Sequence, residues 1–321
     1  MHISAAEFDG LPAFRISLAN GATALIALHG ATLISWEPSQ GNQVIDGYTN
    51  ATELLNHFDA RSMVMAPWSG LIKDARYFYE GTEHVLEGIC DQNGWGGLAG
   101  DVDFTRVDPD DSDEVLTLHG TIEPREGYPW MLDLDVMYGL ELGTNGESRI
   151  SATITVTNRA ADDAPVSVGW HPYVKLPGTS GISNYSLTVP ARSKVLTDSH
   201  AIPLPGDSAL AGITQPARFD YIGTKQIDQA FTHLVPDSVG VVATVVSNPL
   251  SSARVTLLQE PTEAPFVHVF TGDVSGRPRT SIALEPCSAP SNAFNRGDYV
   301  PRLRLAPGEE RSMTATLSFE A

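Results

Sequence analysis

The chain has 321 residues, enough for one large domain or two smaller ones, and its 20 basic against 39 acidic side chains give a net charge of −19. That balance excludes nucleic acid and anionic membrane as partners, because binding phosphate requires a basic face. No stretch of about 18 apolar residues is present to span a bilayer. The N-terminus, MHISAAEFDGLPAFRIS, lacks the basic-then-apolar order of a secretory signal, so a soluble cytoplasmic protein is expected. Two cysteines, Cys90 and Cys287, are too few for a disulfide framework and lack zinc-ligand spacing.

Period-2 alternation recurs along the chain and helical periodicity is nearly absent. Strands are predicted at Ala13–Leu18, Ala22–Leu28 and Thr32–Trp36, the first two joined at Ala19-Asn20-Gly21 in a hairpin that pairs Phe14–Ser17 with Ala24–Ala27. A short helix is predicted at Thr49–Asn56. The next stretch, Asn56–Ala75, breaks its apolar run at Pro67 and carries Arg61, Trp68 and Lys73. After strands at Tyr77–Tyr79 and Glu83–Leu86 comes Gly88–Gly100, glycine-rich around Trp95, which reads as a cleft rim or as a flexible loop. The acidic run Asp108–Glu114 reads as a solvated hairpin tip.

Val115–His119, Met131–Met137 and Ile150–Thr157 follow as strands. In the second of these Leu132, Leu134 and Val136 share one face, which leaves Asp133 and Asp135 as a wet face rather than an acidic pair. Further strands are predicted at Tyr185–Val189, Val241–Val246, Arg254–Leu258, Phe266–Phe270, Ser281–Leu284 and Met313–Phe319, with a second short helix at Lys225–Thr232. No repeat, low-complexity tract or linker divides the chain. A single all-β domain over residues 1–321, a sandwich of large antiparallel sheets, is therefore expected.

Two stretches share a design. Ser281-Ile282-Ala283-Leu284 leads into Glu285 just before Pro286, and Val166–Leu176 places Trp170 and His171 just before Pro172. Proline cannot donate to a sheet ladder, so each strand is expected to end there, with a carboxylate or an imidazole at the lip of a sheet. Such a pair can move a proton on and off a substrate; two ordinary strand ends facing water are the alternative. Val115–His119 also ends in His-Gly, where glycine permits a sharp turn or a close ligand. His119, His171 and Glu285 lack the short spacing of a metal set, so no metal is expected. His29 and His268 read as hydrogen-bonded core histidines, and His57 as a surface residue. Cys287, two residues past Glu285, reads as an apolar filler or a thiol lining a site.

These residues also carry a resemblance. Leu118-His119-Gly120, Gly169-Trp170-His171-Pro172-Tyr173, Ile227-Asp228-Gln229-Ala230-Phe231 and Leu284-Glu285-Pro286 through Asn292-Ala293-Phe294-Asn295 resemble, in order, the motifs of the aldose 1-epimerase (galactose mutarotase-like) family. The likeness extends to Leu28–Trp36 and to Leu305–Glu309. It implies a β-supersandwich, a monosaccharide as partner, no cofactor, and interconversion of α and β anomers by general acid–base ring opening and closure. Glu285 would be the base and His171 the acid, with His119 and Asp228 binding the sugar. Sugar sites also favour aromatic faces against C–H surfaces, and Trp170, Trp68, Trp95 and Trp36 are the candidates, with core packing the default for each taken alone. Galactose-type members carry an Asn-Arg pair where this chain has Gly70-Leu71, and Lys73, Arg76 or Arg61 are the substitutes within reach in sequence. The hexose-6-phosphate branch uses arginines for phosphate, and Arg61 and Arg125 fall near their places. A non-catalytic sugar-binding protein is the remaining alternative, and a monomer or homodimer is expected.

Overall fold

Alternation of apolar and polar side chains becomes alternation of burial. The structure, a computed structural model, describes residues 1–86, 94–107 and 114–321. In the strand Leu132–Leu142 the side chains of Leu132, Leu134, Val136, Tyr138 and Leu140 are buried, while Asp133 and Asp135 turn outward to Arg159 and His119. Other long strands, such as Ser148–Asn158 and Val242–Ser247, repeat the pattern, and the apolar faces of the large sheets contribute to one large core. The chain is all-β, built from large antiparallel sheets as expected.

A four-stranded meander, His2–Phe8, Leu11–Ser17, Thr23–Ala27 and Thr32–Glu37, opens the chain; its first predicted hairpin forms with Ser17 opposite Thr23. A nine-stranded sheet is centred on the long strands Leu132–Leu142, Ser148–Asn158 and Glu310–Glu320. The third sheet, of eight strands, runs in the order Leu210–Gly212, Ala191–Val195, Asp228–Leu234, Phe266–Phe270, Ile282–Cys287, Gly169–Trp170 and Val64–Met65, with Tyr173–Val174 also paired to Ile282–Cys287.

Several expectations change. The predicted helix at Lys225–Thr232 is instead the strand Asp228–Leu234, because pairing on both edges and burial of Phe231 outweigh local propensity. The helix Ala51–Leu55 does form, capped by the Asn50 side chain, which accepts from the Glu53 N–H. The strand Leu116–Ile122 runs through His119-Gly120 rather than ending there. Gly120 serves packing: a Cβ on it would stand 2.6 Å from Val102 Cγ1. Likewise the strand Ile282–Cys287 continues through Glu285 and Pro286. Cys90, the first part of Gly88–Gly100 and most of the acidic run Asp108–Glu114 lie outside the described residues.

A buried charge network fastens the eight-stranded sheet to the segment after the helix Ala51–Leu55. Arg61 is completely buried and donates to Asp46 Oδ2 at 2.8 Å, to the Asp46 carbonyl at 2.9 Å and to Asp59 at 3.1 Å. Asp46 also accepts from Ser281 Oγ at 2.7 Å and Arg277 Nη1 at 3.1 Å. Burial pushes the Asp46 carboxyl up, but the Ser281 hydrogen bond and the Arg61, Arg277 and Lys175 charges together hold it below the usual value. Arg61 is thus a structural cation.

Removing one partner of a buried pair strands the other charge, so Arg61→Ala should lower the free energy of unfolding by about 3–5 kcal/mol, read by denaturant titration. A loss under about 1 kcal/mol would be the behaviour of an exposed pair. Because the folded pKa of Asp46 is depressed, its stabilisation is complete above the unfolded value of about 3.9 and is lost as pH falls below it. The wild type should therefore lose more stability on acidification than Asp46→Asn does.

Candidate active site

The site begins with an interruption in one hydrogen-bond ladder. The Leu284 and Ser288 N–H groups reach the neighbouring segment at the Pro172 and Val168 carbonyls, 3.1 Å and 2.8 Å away. Alternation would direct the N–H of the residue between them, Pro286, the same way, but proline has none. Opposite, the neighbouring strand breaks between Gly169–Trp170 and Tyr173–Val174. The missing donor falls where its partner strand is also interrupted, which is why proline sits inside this strand. His171, in the break, is held from its other side: its N–H donates to the Met63 carbonyl and its carbonyl accepts from the Ser62 N–H.

This arrangement brings His171 Nε2 to 3.1 Å from Glu285 Oε1, with both side chains nearly buried. They line a cavity of about 920 Å³, within the range of roughly 300–1,000 Å³ for small-molecule clefts. Trp95 meets the His171 ring edge-on, centroids 5.3 Å apart, and Tyr173 packs on it at 5.2 Å. The Arg61 guanidinium lies over Tyr173, 4.6 Å from the ring centre. The buried charge network thus supports the aromatic wall beside the acid–base pair.

Register supplies two more groups. His268 stands directly opposite Glu285, and Asp228, one strand further, contacts His268 Nε2 at 2.7 Å. Burial disfavours the His268 imidazolium, yet the Glu285 and Asp228 charges outweigh it and raise its pKa; the same hydrogen bond lowers that of Asp228. His268 corrects the expectation of a core histidine. Val267 and Val269 take the core face, so the residue between them enters the cleft. Alternation was the available signal, but it does not say which face of a strand borders a cleft.

Of the other residues singled out, Asp228 and Trp95 line the cavity, as does Arg125. Trp170, Trp68 and Trp36 are buried in the core. Cys287 is also buried, and burial pushes its thiol pKa well above the ordinary value. His119 sits on the nine-stranded sheet with its Nδ1 2.9 Å from Asp135, away from the cavity lining. Arg61 is held in its ion pairs, and Lys73 is exposed in a short turn outside the lining; Arg76 pairs with Glu83. None of the three replaces the family arginine in the cleft. Gly70 and Leu71 themselves line it, and a Cβ on Gly70 would stand 2.5 Å from Ser291 Oγ. The Asn292–Asn295 motif is a clamp on this wall. Asn292 Oδ1 accepts from the Lys73 N–H, the Asn292 N–H donates to the Leu71 carbonyl, and Phe294 packs edge-on against Trp68 and Tyr77.

Comparison with known proteins agrees with this fold. The sequence matches the profile described as aldose 1-epimerase over residues 13–318. It is 28% identical over 238 residues to the uncharacterized protein YihR of Escherichia coli K12, covering 73% of this chain and 71% of that one. Its fold is similar to the GalM/aldose epimerase homologue of C. elegans, with a TM-score of 0.78 at 15% identity, covering 95% and 98% of the two chains. It is also similar to galactose 1-epimerase from Lactobacillus acidophilus NCFM, with a TM-score of 0.75 at 16% identity over 99% and 98%. With a matched profile spanning nearly its whole length and this fold, the chain belongs to the aldose 1-epimerase family.

Proposed function

We propose that the protein is an aldose 1-epimerase that interconverts the α and β anomers of a neutral monosaccharide. The observation that carries this reading is the 3.1 Å contact between His171 Nε2 and Glu285 Oε1 on the wall of the cleft. The anomeric hydroxyl and the ring oxygen of a cyclic sugar are bonded to the same carbon. An acid and a base in mutual contact can therefore reach both. Glu285 takes the proton from the anomeric hydroxyl while His171 donates one to the ring oxygen, and the bond from C1 to the ring oxygen breaks. Rotation about C1–C2 turns the aldehyde, and the ring recloses on its other face. His171 recovers its proton from the ring hydroxyl and Glu285 returns one to the new anomeric oxygen, so the enzyme ends as it began.

The neighbours suit this substrate. Asp228 can accept hydrogen bonds from sugar hydroxyls, His268 can donate, and Trp95 and Tyr173 present apolar surface to C–H groups. A glycoside hydrolase would need two carboxylates flanking the bond, and Asp228 is already engaged by His268. The hexose-6-phosphate reading keeps one supporting observation, Arg125 on the cleft wall, since Arg61 is committed to Asp46 and Asp59.

Polarimetry of fresh α-glucose, α-galactose and their 6-phosphates tests the proposal. Wild type should accelerate a neutral sugar, and Glu285→Gln should lose about 10²–10⁴-fold of that acceleration. Saturable binding without acceleration of any of the four would mean a sugar-binding protein; acceleration of the 6-phosphates alone would move the assignment to the phosphosugar branch. For the binding groups, His268→Ala should weaken sugar affinity about tenfold, the worth of one charge-assisted hydrogen bond. His119→Gln should leave affinity unchanged. Calorimetry with the preferred sugar on both variants reads the difference, and equal effects would sink the assignment of His268 to the sugar site.

A further inference from the structure

A second cluster of polar side chains lies on the same cleft. His57 and Asp101 line the cavity and His29 stands beside them, the three coming from separate segments of the chain. One candidate ligand atom from each lies within 4.8 Å of the others, the single group of this kind among the described residues. His29 has a further property. Its Nδ1 is 2.8 Å from the Asp103 carboxylate, which can only accept, so Nδ1 carries the proton and in the neutral imidazole Nε2 presents a lone pair. That Nε2 is buried and has no hydrogen-bond partner. An imidazole oriented by a carboxylate through one nitrogen and bare at the other is how proteins hold a metal-ligating histidine.

The local fold is shaped to keep the rings there. The His29 and His57 rings are parallel within 5°, centroids 6.0 Å apart. His57 adopts φ of 50°, and Gly100 leaves room for its ring, since a Cβ there would stand 3.1 Å from His57 Cε1. His57 Nε2 already lies 2.8 Å from Asp101 Oδ1, with a proton in the place a cation would take. We propose that His29, His57 and Asp101 bind one divalent cation of the zinc type on the cleft wall. Two imidazoles and a carboxylate form a zinc set with positions left open, and two of the three residues, His57 and Asp101, line the cavity. Arg125 lines the same cavity and is the cation a bound metal would have beside it.

The test is calorimetric titration of chelator-treated full-length protein with Zn²⁺, above the imidazole pKa of about 6.5. One equivalent should bind, and His29→Gln, His57→Gln and Asp101→Asn should each weaken it at least about tenfold. Asp101 is exposed, so its variant reports on binding without disturbing the core. His119→Gln, on the other sheet, should bind as wild type does, and Co²⁺ in place of Zn²⁺ should give visible bands that the three variants lose. No stoichiometric uptake by wild type would overturn the proposal. So would unchanged binding in Asp101→Asn and the two histidine variants that circular dichroism shows to be folded, or an equal loss in His119→Gln, which would mark uptake by scattered surface histidines.

Discussion

The cleft depends on an interruption shared by two neighbouring strands. A continuous antiparallel ladder between Ile282–Cys287 and the segment Gly169–Val174 would direct backbone polar groups at one another along its whole length. Pro286 removes a donor on that side, and the neighbouring strand breaks at His171-Pro172, so neither strand carries an unmatched N–H at this point. The backbone of His171 turns to Ser62 and Met63 instead, and its side chain meets Glu285. The two prolines and the two ionisable groups are thus one device, in which the break in the ladder creates the place where acid and base touch.

Around this break the charges are sorted by depth. Arg61, wholly buried, answers Asp46 and Asp59 and supports Tyr173 from behind, while Tyr173 and Trp95 flank the His171 ring. A buried guanidinium with its partners in place is fixed, and removing any partner would strand a charge in a poorly solvating interior. That rigidity passes through the aromatic wall to the imidazole. On the open side, His268 and Asp228 form a second pair on neighbouring strands, where solvent and substrate can reach them. Buried Arg61 thus serves the architecture, while the two histidine–carboxylate pairs line the cleft.

The wall of the cleft marks this chain off from the galactose-type pattern. Gly70 takes a positive φ of 72° beneath Ser291, so the position leaves no space for a side chain, and Leu71 next to it puts an apolar side chain on the wall. Arg125, His57 and Asp101 supply polar groups from other segments. The Asn292–Asn295 motif, which belongs to the sequence signature, is a support that holds Leu71 and Lys73 in place.

The sequence by itself determined the all-β class, because period-2 alternation is a local property that survives in any strand whose faces differ in burial. It also marked His171 and Glu285, each followed by a proline, and it marked Asp228 through the family-like motif Ile227–Phe231, because such motifs are written in chain order. It did not determine that Pro286 lies within a strand, or that Lys225–Thr232 belongs to one, because both depend on which strand lies alongside. Nor did it distinguish His268 from His119. Each alternates with apolar neighbours, and only the packing of the sheets decides that one face of His268's strand borders the cleft while His119 faces outward to Asp135. Nor does sequence show that the Arg61 charge is answered inside the protein, by Asp46, fifteen residues earlier, and Ser281, 220 residues later. Which face of a strand is wet, and which charge is answered inside the protein, are properties of neighbours brought together from far along the chain, and tertiary structure alone decides them.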